Sequence, residues 1–195
     1  MKELYHNLKA LTLDEDTPFF SSIQVASSDE VYEIFSYHFT DRDSWDKPGA
    51  LEARGIMFEV NSNTMKPTRI ASRTMPKFFN HSETVIEYSE PKYAMHKADG
   101  SLISSYINQR GYISLKSKTS LHSDHAVMAM ELIFSIKNAE LLSFVIEAED
   151  SGYTVNMELV APGSKFRIVL FYAEPKLIIL NGTLFEGSIL AKLFP

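Results

Sequence analysis

Leu4, Leu8 and Leu11 recur at spacings of four and three, which predicts a short helix over residues 2–11 with one apolar face. The next stretch, Leu13–Ser28, is rich in Asp, Ser and Thr, contains Pro18, and reads as loop. The period then falls to two. Val31–Phe39 and Arg54–Val60 read as strands, and Thr68–Ser72 as a shorter third. Between the first two lies polar Asp41–Gly49, which carries the only Trp, Trp45, and ends in Lys-Pro-Gly, a turn signal. Tyr93–Lys97 and Leu102–Asn108 read as strands joined by Ala98-Asp-Gly-Ser, because Asp-Gly tolerates the positive φ that a tight hairpin needs. Gln109-Arg-Gly turns the chain again into Tyr112–Lys116.

Helical spacing returns at Val127, Met130, Ile133 and Phe134, predicting a helix over Ser123–Ile136 with Ser123 or Asp124 as its N-cap. Asn138 is placed to cap a second helix, Glu140–Glu149, and Gly152 to end it. Tyr153–Val160, Arg167–Tyr172 and Lys176–Asn181 close the chain as strands. Consecutive strands with short turns pair antiparallel, so the class is α+β: mainly antiparallel sheets with a helical pair. No linker or repeat divides residues 1–195, which read as one domain.

Composition narrows this little. There is no Cys, hence neither disulfides nor a thiolate metal site, and a reducing compartment suits the chain. Its longest apolar run, Ile168–Ala173, is far below the ~20 residues of a membrane helix. The first residues lack the apolar run of a signal peptide. Charge is more telling in its distribution than in its net value of −6. Val60–Ser82 and Gly100–Ser123 hold seven of the 19 basic residues and none of the 25 acidic ones. Brought together, they would make an anion site on an acidic body; apart, they are solvated surface.

Lys97-Ala-Asp-Gly-Ser-Leu is the segment with chemistry in it. At its plainest it is a turn that follows a lysine. Read functionally, it is an amine nucleophile at a strand end beside a glycine that lets a phosphate approach the backbone. Lys-x-Asp-Gly-Ser resembles the nucleotidyl-acceptor motif of the covalent nucleotidyltransferases, the ATP-dependent ligases and mRNA capping enzymes. Further blocks narrow the likeness: Leu51-Glu-Ala-Arg-Gly-Ile-Met-Phe-Glu, Arg69-Ile-Ala-Ser-Arg, Lys77-Phe-Phe-Asn, Lys116-Ser-Lys and Asn156-Met-Glu-Leu-Val-Ala-Pro. With Ile34-Phe-Ser-Tyr and Arg167-Ile-Val-Leu, they resemble the ATP-dependent RNA ligases of the T-even phage, tRNA-repair type, in order and spacing from Met1 to about Asn181.

That resemblance implies a ligase-type adenylation domain using ATP and Mg²⁺ to join RNA ends, those of tRNA, in the host-cell cytoplasm. Carried over position by position, it makes Lys97 the catalytic nucleophile. It makes Tyr37, Arg54, Lys77, Phe79, Gly100, Lys118 and Glu158 nucleotide-binding, with Glu158 on the sugar and Arg54 and Lys77 on ribose or phosphates. No metal ligand is assigned. Phe171 and Tyr172 are further candidates to stack on adenine. Two departures stand out. Thr119 replaces a family Gly, and the family's Glu-Gly and Lys-x-Lys motifs lie well beyond the Glu158 block. Glu186-Gly187 comes too soon after Glu158 and Lys192 stands alone, so the chain is expected to be the front portion of such an enzyme. The alternative is a degenerate homologue that binds nucleotide or RNA ends without chemistry.

Other groupings carry less. His122-x-x-His125 has no evident third metal ligand and reads as surface. Glu147, Glu149 and Asp150 read as a solvated helix end. Ser104-Ser105 lacks a Gly-x-Ser-x-Gly elbow, no phosphate loop or dinucleotide fingerprint occurs, and Met128 and Met130 read as core.

Overall fold

A computed structural model describes residues 1–13, 16–27, 29–80, 83, 96–162, 170–186 and 189–190. Helix α1 spans Lys2–Leu11 and buries Tyr5, Leu8 and Leu11. Strands β1 (Phe19–Val25), β2 (Val31–Tyr37), β3 (Ile56–Val60) and β4 (Pro67–Ser72) form an antiparallel sheet in that order. Strands β5 (Ser101–Ile107), β6 (Ile113–Ser117), β7 (Tyr153–Val160), β8 (Lys176–Leu184) and β9 (Ile189–Leu190) form a second, ordered β6-β5-β7-β8-β9 and again antiparallel. Helices α2 (Asp124–Ile133) and α3 (Ala139–Asp150) join β6 to β7. The α+β class with antiparallel sheets and a helical pair is thus observed.

The alternation along each strand explains the layering. In β2, Phe35 packs into a cluster with Tyr5, Leu8 and Phe58, beneath α1. Tyr32 and Ile34 point the other way, into a cluster with Met57, Ala71, Tyr106 and Leu121 that joins the two sheets. Both faces of the first sheet are therefore covered, and β2 and β3 are apolar nearly throughout. In the second sheet, Ile103, Leu115, Val155 and Met157 pack beneath α2 and α3. The alternate residues, among them Ser104, Lys116, Asn156 and Glu158, stand on the opposite face by the same alternation. That inner face is polar. Asn156 accepts from Ser104 at 2.8 Å and donates to Asn181 and Thr183 at 3.0 Å each. Arg73 ties the sheets together: its backbone N–H donates to Thr154, and its side chain holds Glu52 and the Phe185 carbonyl.

Four expectations are corrected. Leu13–Ser28 is not all loop, because Phe19–Val25 pairs residue for residue with β2. Lys97 does not end a hairpin strand: His96–Asp99 lie in no regular element, and both edges of β5 are taken, by β6 and β7. The expected partner's Tyr93–Met95 lie outside the described residues. Of Arg167–Tyr172, residues 167–169 lie outside the described residues, and Leu170–Tyr172 are not strand. Glu149 is not solvated. It is 4% exposed and accepts a short hydrogen bond from the Ser105 hydroxyl, which also accepts from the Val155 N–H. Ser123 is the N-cap of α2 and accepts from the Ala126 N–H at 3.2 Å. Asn138 is the N-cap residue of α3 as expected, though its side chain makes no cap bond and its amide donates back to the Leu132 carbonyl.

Candidate active site

Lys97 is exposed on the segment that leads into β5. That segment is fixed from both sides. The Asp99 N–H donates to the Tyr172 hydroxyl at 3.1 Å, and the Asp99 carboxylate accepts from the Leu170 N–H at 3.2 Å. The Gly100 N–H donates to Glu158 at 2.9 Å. Only glycine fits here, since a Cβ at position 100 would lie 2.1 Å from the Leu159 carbonyl oxygen. Glu158 sits on β7 opposite Leu102 of β5. Burial pushes its carboxyl above the ordinary range, against the Gly100 N–H and the charges of Lys97 and Arg54. Glu158 therefore lies within electrostatic reach of both Lys97 and Arg54.

Arg54 precedes β3, after a 3₁₀ turn at Ala50–Glu52, and its guanidinium donates to the Pro76 carbonyl at 3.2 Å. Gly55 follows with φ +106°, and a Cβ there would lie 2.6 Å from the Lys118 carbonyl oxygen. This close approach brings the first sheet onto the end of β6. Lys118 lies over the Tyr37 ring at 3.7 Å and donates to the Tyr37 carbonyl at 3.3 Å. Burial lowers its amine to about 8, with the charges of Arg54 and Lys77 adding to the effect. Lys77 follows β4, and its ammonium is 5.1 Å from the Phe79 ring centre and 5.7 Å from that of Trp45. The Arg42 guanidinium stands 4.6 Å over Phe79. A cavity of about 390 Å³ opens among Tyr37, Arg42, Trp45, Lys77 and Phe79, with the carboxylates of Asp41 and Glu83 also on its wall.

All eight predicted site residues thus fall in two linked groups. Lys97, Gly100 and Glu158 make one, at the β5–β7 edge. Tyr37, Lys77, Phe79 and Lys118 make the other, with Arg54 coupled to both. Lys118 thus feels two further cations, Arg54 and Lys77, the latter 4.0 Å from the Glu83 carboxylate, and a cluster of this kind suits an anion with several negative oxygens. The basic runs of the sequence converge only in part. Arg69 is taken by Glu59 and Arg73 by Glu52, while Lys66 and Arg110 are exposed. Phe171 is exposed and Tyr172 is engaged by Asp99. Among the described residues no three His, Cys, Asp or Glu side chains group to hold a metal, the His122 pair included. Also among them, no helix is long and apolar enough to cross a membrane.

Three contributors carry no clear functional signal in the sequence. Asp99 stood out only as a member of the Lys-x-Asp-Gly-Ser motif and its turn, Trp45 as the only Trp in a polar stretch, and Arg42 not at all. Trp45 packs edge-on against Tyr37 at 4.6 Å and Phe79 at 6.2 Å, so it sets the aromatic wall of the cavity. A family model described as RNA ligase matches residues 52–185, more than half of the chain and including Arg54, Lys77, Lys97, Lys118 and Glu158. The chain belongs to the RNA ligase family.

Proposed function

We propose that this protein is an ATP-dependent RNA ligase whose covalent intermediate is AMP on Lys97, and that the fold is a nucleotidyltransferase adenylation domain. The observation that carries the reading is the exposed Lys97 amine within electrostatic reach of Glu158, which also feels Arg54, while Arg54 and Lys77 both act on Lys118. In the first step the free-base amine of Lys97 attacks the α-phosphorus of ATP. A P–N bond forms, the bond to the pyrophosphate oxygen breaks, and the amine's second proton is released. Arg54, Lys77 and Lys118 neutralise the phosphate oxygens as charge moves onto the leaving group. Glu158 accepts from the ribose hydroxyls. An oxygen of an RNA 5′-phosphate then takes the AMP from Lys97, and a 3′-hydroxyl finally displaces AMP to seal the strand.

Mg²⁺, when bound, neutralises phosphate charge and orients the leaving group. It is commonly held by one or two carboxylates plus substrate phosphates, a part that the Asp99 carboxylate, two residues from Lys97, would take while Glu158 serves the ribose. On the likeness of its blocks to the tRNA-repair ligases of T-even phages, the ends joined are those of cleaved tRNA. The test is incubation with α-labelled ATP and Mg²⁺, followed by a chase with 5′-phosphorylated RNA. Label is expected on the protein, absent in Lys97→Ala, and transferred to RNA in the chase. Label that persists in Lys97→Ala would overturn the reading. ATP binding with no label would assign the chain to nucleotide binding without transfer.

A further inference from the structure

β6 and the residue after it put two lysines on the face that meets the first sheet, and their surroundings differ. Lys118 faces Tyr37 beside the cavity, whereas Lys116 has no exposed surface. The Lys116 ammonium donates to the Gly55 carbonyl at 2.6 Å and to the Ser117 carbonyl at 3.3 Å. Among the described residues no carboxylate is a hydrogen-bond partner of it, and burial lowers its amine to about 7. A buried ammonium held only by carbonyls is an expensive way to fill space that a methionine could occupy.

Its position suggests what the ammonium does there. Gly55 follows Arg54, and its backbone presses on that of Lys118. The Lys116–Gly55 bond therefore ties one sheet to the other at a point flanked by Arg54 on one side and Lys118 on the other. We infer that Lys116 is a positioning residue, which through Gly55 fixes the spacing of Arg54 and Lys118 across the two sheets so that both meet the same nucleotide phosphates. The inference rests on the reading of this cleft as the ATP site. A residue that merely supports the fold would affect every ligand alike. One that spaces phosphate-binding cations would affect ATP and leave adenosine unchanged.

The experiment titrates the full chain with ATP plus Mg²⁺ and, separately, with adenosine. Trp45, which lines the cavity beside Lys77, serves as the fluorescent reporter. Lys116→Met is expected to weaken ATP binding at least tenfold, leave adenosine binding within twofold, and slow AMP transfer to Lys97 at saturating ATP. Should Lys116→Met not fold, Lys116→Gln, which keeps an N–H donor on a shorter arm, is read in the same way. A folded variant with unchanged ATP affinity and labelling rate, or with equal losses for ATP and adenosine, overturns the inference. A wild-type chain that binds no ATP overturns instead the reading of the cleft.

Discussion

Replacing Lys116 by methionine removes one buried ammonium and leaves its volume filled, so the effect on stability can be worked from its surroundings. Burial lowers the amine from the ordinary 10.5 to about 7, and each unit of such a shift corresponds to about 1.4 kcal/mol. The folded chain holds this proton less tightly than the unfolded chain does. Between those two values the unfolded state carries more protons, so stability rises with pH. The contribution of Lys116 is complete above 10.5 and lost as pH falls toward about 7. Between pH 7 and roughly pH 9.5, wild type should gain about 3 kcal/mol from this residue that Lys116→Met cannot gain. Lys118, lowered to about 8 chiefly by its own burial, gives a slope of the same sign in both proteins, so the comparison isolates Lys116 to the extent that this burial is kept. The variant also leaves the Gly55 carbonyl unpartnered, a loss of about 1–3 kcal/mol that does not change with pH. Urea unfolding of both proteins at the two pH values measures the difference. The gap should shift by about 3 kcal/mol in favour of wild type at the higher pH. Gaps equal to within about 0.5 kcal/mol would refute the reasoning from burial.

Gly100→Ala should destabilise by roughly 1–3 kcal/mol, because its methyl must push β5 away from the Leu159 carbonyl and disturb the Gly100–Glu158 bond; thermal melting reads this. Glu158→Gln should flatten the acid limb of ATP binding. If Glu158 serves the ribose in its charged form, as proposed, the wild-type limb should lie above the ordinary carboxylate range, since burial raises its carboxyl; isothermal titration across pH follows it. Arg73→Met should cost roughly 3 kcal/mol in denaturant unfolding, because Glu52 and the Phe185 carbonyl lose a shared, largely buried partner that joins the sheets.

Those effects depend on contacts of unequal legibility. The helices were readable because their apolar residues keep a spacing of three and four and a good cap precedes α2. Strands β2, β3 and β7 were readable because they are covered on two faces or alternate cleanly. β1 was not, since Phe19-Phe-Ser-Ser-Ile-Gln-Val is half polar and follows Pro18. It is a strand because β2 offers it seven consecutive partners. The hairpin expected at Asp99-Gly100 failed for a related reason. Local turn chemistry favoured it, but the long-range pairing of β5 with β7 fills the edge that a local partner needs, and Gly100 serves close packing against Leu159 instead.

The charged residues of the site were legible as types in a pattern, yet their grouping was not. Nothing in the spacing of Arg54, Lys77 and Lys118 shows that Gly55 lets two backbones touch and so brings these cations together. Lys116 and Lys118 look equivalent in sequence. Side-chain alternation puts both on the inner face, and only packing separates a buried tie from a cation beside the cavity. Glu149 misled in the same way, since an acidic helix end is ordinarily solvated and only its contact with Ser105 shows otherwise.

Peptide mapping by mass spectrometry, after the full chain is incubated with ATP and Mg²⁺ and freed of unbound nucleotide, bears most directly on the assignment of Lys97. A single AMP on the peptide containing Lys97, removed by added 5′-phosphorylated RNA, is the predicted result. AMP on any other residue, such as Lys77 or Lys118, with Lys97 unmodified would contradict it.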